Sequence, residues 1–245
     1  MSSTTYFISD LHLDASRPHI TAALATFLDR IAGCDALYIL GDLFEAWVGD
    51  DDDAPMAIET QSLLRCFADS GAALYLLHGN RDFLIQSRFA ARTGATLLGD
   101  PSRIDLYGTP TLLLHGDTLC SADTDYQAYR QQARDADWQA EVMARPLHER
   151  RVLAGDLRRA SKEALSRKPE DIGDVCTDTV RSVAAEHAVG RMIHGHTHRP
   201  ARHEETFGER WVLGDWDTQG WSLEASPAGL SLQAFPIAQS PQTDA

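Results

Sequence analysis

The sequence predicts an α/β fold. Short apolar runs alternate with stretches of helical period, each central apolar run ends in a cluster of polar residues, and 43% of the 245 residues are hydrophobic, enough for one sizeable core. In order, Tyr6-Phe7-Ile8 reads as a first strand and residues 18–32 as a helix. Residues 36–40 (ALYIL) form a second strand, 55–69 a second helix and 73–77 (ALYLL) a third strand. Thr111-Leu-Leu-Leu114 and Arg191-Met-Ile193 supply a fourth and a fifth. From about 203 to 235 the chain alternates in β fashion, with turns expected at Gly208, Gly220 and Pro227-Ala-Gly229. The polar tail from Gln239 to Ala245 is expected to fray.

Residues 124–170 differ from this pattern. They are helical in period and rich in arginine, and between 145 and 168 eight cations face three anions in a chain of net charge -14. The segment reads as an insertion with its own task. The acidic balance of the whole argues against nucleic acid as a partner, because phosphate backbones are repelled. Four widely spaced cysteines, Cys34, Cys66, Cys120 and Cys176, predict reduced thiols in a cytoplasmic protein. The start has no basic, signal-like region, and no apolar run reaches the ~18 residues of a spanning helix. No obligate protein partner is indicated.

The chemistry lies at the ends of the predicted strands: Asp10-Leu-His12, Gly41-Asp42-Leu-Phe-Glu45, Gly79-Asn80-Arg81-Asp82, His115-Gly-Asp117 and Gly195-His196-Thr-His198. Open α/β sheets bind ligands there. Strand alternation is expected to put both side chains of each D-x-H or H-x-H on one face. Carboxylate, imidazole and amide donors together suit borderline divalent ions such as Mn, Fe, Zn or Co. Seven candidate metal ligands, Asp10, His12, Asp42, Asn80, His115, His196 and His198, are too many for one open site and suit two ions sharing a carboxylate. Arg81 offers a permanent bidentate fork to phosphate oxygens. Glu45 is read as a support to the ligands, and His78 and His194 as core or supporting residues. The acidic run Asp50–Asp53 is read as a solvated loop.

These five motifs in this order resemble the calcineurin-like metallophosphoesterase superfamily. Ser9-Asp-Leu-His-Leu13, the stretch from Ala36 to Trp47, His78-Gly-Asn-Arg-Asp-Phe83, His115-Gly-Asp-Thr-Leu-Cys120 and Ile193-His-Gly-His-Thr-His-Arg-Pro200 are similar to its UDP-2,3-diacylglucosamine diphosphatase family of lipid A biosynthesis. Superfamily members more often carry histidine where Arg81 stands. The resemblance implies an αββα sandwich of two mixed β-sheets flanked by helices, a single domain over 1–245 with a helical lid insertion at 124–170. It implies two divalent metal ions, Mn2+ being the ion expected. One would sit on Asp10, His12, Asp42 and His198, the other on Asp42, Asn80, His115 and His196. It implies substrate contacts at Asn80, Arg81, Asp123, Ser161, Lys168 and His196, with Asp42, Asn80, Arg81 and His196 central to catalysis. Leu165 stands where the family commonly has asparagine.

The implied reaction is attack of a metal-activated water on the phosphorus nearer the uridine, giving UMP and 2,3-diacylglucosamine 1-phosphate. The lid's apolar stripe (Trp138, Val142, Leu147, Leu153, Leu157) would take acyl chains or pack on the core. Its basic face, with Arg150, Arg151, Arg158 and Arg159, would lie peripherally on the anionic cytoplasmic face of the inner membrane. The competing readings are another phosphoesterase (a nucleotide phosphodiesterase or a dinucleoside polyphosphate hydrolase) and a scaffold without catalysis.

Overall fold

The computed structural model describes residues 3–165 and 172–238. Lys168 and the tail from Gln239 therefore lie outside the described residues. Among those described, the strands form two sheets, ordered β11-β10-β1-β2-β3-β4 and β5-β6-β7-β9-β8. The first half of the chain is a run of βα units: β1 (Thr5–Ile8), α1 (Pro18–Arg30), β2 (Ala36–Leu40), α2 (Pro55–Asp69), β3 (Ala73–Leu77), α3 (Ser87–Thr93) and β4 (Thr96–Leu97). Its strands pair in parallel. Proline stands at the start of both long helices, where its missing N–H costs nothing.

The second sheet begins with the hairpin of β5 (Ser102–Leu106) and β6 (Thr109–Leu113) and continues through α7 (Thr177–Glu186), β7 (Arg191–His194), β8 (Ala201–Glu205) and β9 (Gly208–Val212). β10 (Gln219–Ser226) and β11 (Gly229–Pro236) then return to the first sheet, β10 lying antiparallel to β1.

Burial defines the layers. Ile8, Ile39 and Leu76 pack with Leu24, Leu64 and Phe89 of the three helices. Their alternates Phe7, Leu40 and Leu77 join Leu113, Ile193 and Trp211 of the other sheet. Leu112 and Met192 pack with Val180 and Ala184 of α7. The αββα sandwich implied by the sequence is thus present. The short elements α3, β4, β5 and α7 had no clear sequence signature. The turn expected at Gly220 does not occur: Gly220 lies within β10, and a Cβ there would come within 2.4 Å of the Phe235 ring.

Between β6 and α7 the described residues form a 3-10 turn at Asp117–Leu119 and three α-helices, α4 (Thr124–Ala133), α5 (Ala136–Met143) and α6 (Leu147–Leu165). Two of them are capped by the preceding aspartate, Asp123 accepting from the Tyr126 N–H and Asp135 from the Trp138 N–H. The Asp50–Asp53 run is not a solvated loop. Asp50 is buried, accepting from the Trp47 indole and the Gln86 and Phe89 amides. Asp51 pairs with Arg150 at 2.5 Å, and Asp52 and Asp53 pair with Arg151. These carboxylates are the counterions of the insertion. Arg158 pairs with Glu45 and Arg159 with Asp156. The four arginines expected to face a membrane therefore all have protein partners. Among the described residues no helix is long and apolar enough to cross a membrane.

Candidate active site

The candidate ligands converge from the carboxyl ends of β1, β2, β3, β6 and β7. They lie beyond the strands, β1 ending at Ile8 and β7 at His194. The co-facing of D-x-H and H-x-H is therefore not strand alternation. Asp10 (φ 56°), His12 (49°), Asp42 (52°), His196 (67°) and His198 (54°) all adopt the left-handed backbone region. For residues with a Cβ this conformation costs on the order of 1–3 kcal/mol each and concentrates at functional sites. The surrounding ladder enforces it: Asp10 N–H donates to Gly41 O and His12 N–H to Asp42 O.

Two glycines give the loops room to meet. A Cβ on Gly79 would lie 2.1 Å from Asp42 Oδ1, and one on Gly195 would lie 2.2 Å from Asp10 Oδ2. Asp82 ties two loops together, accepting from the Gly79 and Leu43 amides at 2.7 Å each.

Asp10, His12 and His198 bring ligand atoms within 4.8 Å of one another, and so do Asp10, Asp42 and His115. His12 Nε2 and His198 Nε2 are 3.3 Å apart, and His198 Nε2 is 3.4 Å from Asp10 Oδ1. Asp42 Oδ2 lies 3.9 Å from His12 Nδ1 and 3.8 Å from His115 Nε2, between the two halves. Asp10 is common to both groups, where the family resemblance implies Asp42 as the shared residue. Asn80 Oδ1 is 2.9 Å from His115 Nε2 and 3.0 Å from His196 Nδ1, so it joins His196 to the cluster.

The donor chemistry fits a cation. Leu40 O takes the Nδ1 proton of His115 at 2.9 Å. A neutral ring would then set the Nε2 lone pair against Asn80 Oδ1, a contact that only a proton or a metal resolves. Burial works against protonation of His115, yet the carboxylates of Asp42, Asp10 and Asp117 hold it up to about 9. His198 behaves likewise: burial opposes its charge, while Asp10 and Asp215 raise it to about 10. Burial and the His115 charge press His196 down to about 4, leaving a neutral ring. Burial raises Asp42, whereas Asp10, equally buried, is held well below the usual carboxylate range by His198, His115 and His12. The cluster thus concentrates imidazole and carboxylate donors in one place, buried at Asp10, His12, Asp42 and His115 and open to solvent at His198, a donor set that suits a divalent ion.

Supporting contacts follow. Glu45 Oε2 lies 3.2 Å from His12 Nδ1, near enough to orient the ring electrostatically although the two are not aligned as a hydrogen bond. Asp215, which sequence reasoning missed, does the same for His198 Nδ1 at 3.5 Å. Gly214-Asp215 follows the apolar run Trp211-Val-Leu213 as Gly41-Asp42 follows residues 36–40, a signal that the sequence carried. Arg81 does not pair with Asp82. Its backbone N–H donates to Asp42 Oδ1 at 2.8 Å, and its guanidinium faces Asp42 Oδ2 (Nε, 3.5 Å) and Glu45 Oε1 (Nη1, 3.6 Å) as ion pairs without forming hydrogen bonds through those atoms. Guanidinium donors that make no hydrogen bond suit an incoming anion.

A pocket of about 550 Å³ opens on the cluster. Asp42, Asn80, Arg81, His196 and His198 form its floor, and Asp123 and Ser161 also line it. The opposite wall is Trp138, Val142, Leu153 and Leu157 of the insertion. Within that stripe Val142 also belongs to the core, so the stripe both packs and lines the pocket.

The calcineurin-like phosphoesterase family model matches residues 3–200. A UDP-2,3-diacylglucosamine hydrolase of Cellvibrio japonicus is 52% identical over 95% of this chain and 99% of its own length. One from Marinobacter nauticus is 52% identical over 91% and 93%. The solved structure of an archaeal phosphodiesterase superposes with a TM-score of 0.51 at 11% identity, covering 96% of this chain and 99% of that one, a likeness of fold alone. With half its residues shared along nearly the whole length and the five-loop cluster assembled, the chain belongs to the calcineurin-like phosphoesterase family, on its UDP-2,3-diacylglucosamine hydrolase branch.

Proposed function

We propose that the protein hydrolyses the diphosphate of UDP-2,3-diacylglucosamine to UMP and 2,3-diacylglucosamine 1-phosphate. The observation that carries this reading is a single pocket with a polar, cation-competent floor and an apolar wall on the insertion. A generic diesterase has no need of that wall. The relatives' shared name supplies the substrate.

Asp10, His12, Asp42 and His198 would hold one divalent ion and Asp42, Asn80, His115 and His196 a second, with Mn2+ the expected species. Such a pair, when bound, lowers the pKa of a water and stabilises the attacking and leaving oxygens of an in-line displacement. Arg81 and Asn80 bind the equatorial oxygens of the phosphoryl group nearer the uridine and offset charge developing there. One P–O bond forms to the water oxygen, and the bond to the sugar-linked phosphate breaks. That phosphate departs as an anion and needs no strong general acid. Neutral His196 would donate a ring N–H to a phosphoryl oxygen without adding charge. The insertion, residues 124–170, encloses the acyl chains as part of the one domain, and Asp123, Ser161 and Lys168 contact the head group. Peripheral contact with an anionic inner membrane belongs to the same reading. It draws on exposed apolar Val152 of α6, since the arginines of that helix are paired.

The test is UMP release by metal-depleted protein supplied with Mn2+, Mg2+, Zn2+ or nothing, with bis(p-nitrophenyl) phosphate as comparison. Metal-dependent turnover of the lipid substrate, far faster than of the diester, is expected. Turnover of the diester alone would remove the lipid assignment, and none of either would favour a scaffold. The protein should also sediment with anionic vesicles; failure there would remove the membrane contact only.

A further inference from the structure

The mechanism above uses the floor of the pocket and the apolar wall of the insertion. It leaves unused three side chains of α4 that reach the ligand loops, Tyr126 lining the pocket as it does so. Tyr126, Arg130 and Arg134 recur at a spacing of four residues, so they share one helix face. Each reaches a different loop.

The Tyr126 hydroxyl donates to Asp117 Oδ2 at 2.6 Å, and its ring stacks on His196 at 5.9 Å between centroids with 30° between planes. Arg130 Nε donates to the same Asp117 oxygen at 2.8 Å, while its Nη2 donates to Asp100 Oδ2 at 3.2 Å. The other oxygen of Asp100 accepts from the His115 backbone N–H at 3.3 Å. Arg134 Nη2 donates to Gly79 O at 2.9 Å, one residue before Asn80. One helical face thus touches the loops of His196, His115 and Asn80. Those three residues meet at Asn80 Oδ1, at the end of the cluster away from His12 and His198. The described partners of His12 and His198 come instead from Glu45 and Asp215.

We propose that Tyr126, Arg130 and Arg134 are positioning residues that hold the Asn80–His115–His196 end of the cluster in register, so that α4 sets the affinity of one metal and not of the other. The proposal rests on the two-ion reading above. Arg130 is the centre of the device. Asp100 and Asp117 are both buried carboxylates, and a guanidinium is the one side chain whose fork serves both while remaining charged.

The experiment is metal binding by equilibrium dialysis and calorimetry with Mn2+ on the full chain, for the parent, Arg130→Met, Arg130→Lys, Arg134→Met and Gln131→Ala, with thermal melting alongside. Gln131 is an exposed neighbour on α4 and serves as the helix control. Loss of a group that orients metal ligands weakens metal affinity by about 10–100-fold. Arg130→Met and Arg134→Met are each expected to weaken one equivalent on that scale and leave the other at its parent value. Arg130→Lys should recover part of the loss, because a point charge reaches only one of the two carboxylates. Gln131→Ala should change neither equivalent. Two equivalents at parent affinity in both methionine variants would overturn the inference. So would equal weakening of both equivalents in proportion to a lowered Tm, the mark of a merely structural role. If Arg130→Met fails to fold, Arg134→Met, which removes only a contact to backbone carbonyls and to the Phe83 ring, decides the matter. A parent that takes up a single equivalent would sink the two-ion reading and the selectivity claimed for α4 with it; the positioning role would then be supported by weakening of that equivalent in the methionine variants and overturned by its absence.

Discussion

The floor of the pocket and the insertion above it are held by different physics. The floor is assembled by backbone. Asp10, His12 and Gly195 donate their amides to neighbouring loops at 2.8–3.1 Å, and parallel strands fix where those loops begin. The insertion is attached by side chains, through the apolar contacts of Trp138, Val142 and Leu153 and through long-range ion pairs. Arg150 reaches Asp51 across 99 residues of sequence, and Arg158 reaches Glu45 across 113. Backbone ladders leave little freedom, which suits ligands that must sit within a fraction of an ångström of a reacting centre. Ion pairs between long side chains are softer and respond to salt and pH, which suits a wall that must admit a bulky, double-chained substrate.

The sharpest way to test the rigid half is to remove its central charge without touching its backbone. Asp42→Asn keeps an oxygen for the Arg81 N–H, and asparagine tolerates the left-handed backbone better than alanine. Loss of metal binding and a fall in turnover of roughly 10³-fold or more are expected, the scale of several kcal/mol of lost electrostatic stabilisation. Circular dichroism and melting should stay close to parent values. Near-parent turnover with both ions still bound would mean that Asp42 is not a ligand.

The soft half gives way to a different change. Arg150 is 4% exposed, pairs with Asp51, and also donates to Val48 O and Arg145 O. Arg150→Met removes all three contacts while keeping an apolar stem. Hydrogen bonds that involve a charge contribute about 1.5–3 kcal/mol each, and here the surviving carboxylate is half in water, so a total loss near the low end is expected. Amide exchange in α6 should quicken by roughly 10-fold, the factor that corresponds to about 1.4 kcal/mol, while β1–β3 stay protected. KM for the lipid substrate should rise with little change for bis(p-nitrophenyl) phosphate. A uniform loss of protection across both sheets would show instead that the insertion is part of the same cooperative unit as the floor.

The same division explains what the sequence disclosed. The strands β1, β2, β3, β6 and β7 are legible because each is a short apolar run, and the ligands because each follows such a run within five residues. The left-handed geometry was not legible: D-x-H looks like strand alternation until Ile8 is seen to end β1. Asp215 and the α4 face were missed because their partners lie on other elements, His198 on another strand end, Asp117 in the turn after β6 and Asp100 in the turn before β5, and contacts between elements leave no period to read. The acid run Asp50–Asp53 reads as solvated for the same reason, since its arginines lie about a hundred residues on. Charge pairing over that distance leaves no periodic trace, whereas strand burial does.

The smallest effect expected is a loosening of α6 in acid. Hydrogen bonds from Arg150 hold Asp51 below the usual carboxylate range, and Glu45, despite burial that works against its charge, is lowered by His12 and Arg81. A carboxyl whose folded pKa is depressed contributes stability that is fully present above its unfolded value, about 4, and is lost as pH falls through the lower folded value. Attachment of α6 should therefore be constant from neutrality to about pH 5 and weaken only below about pH 4. Because the Asp51 carboxylate is about half exposed, water and salt screen the pair and the effect should be modest and smaller still at high ionic strength. The measurement is amide exchange in α6, corrected for the intrinsic effect of pH, in parent protein and in Asp51→Asn. The parent should lose protection in α6 on acidification before the sheets do, and Asp51→Asn should start looser and change less. If α6 and β2 lose protection together in both proteins, the clamp contributes nothing separable and the contrast between a backbone-built floor and a side-chain-held wall fails.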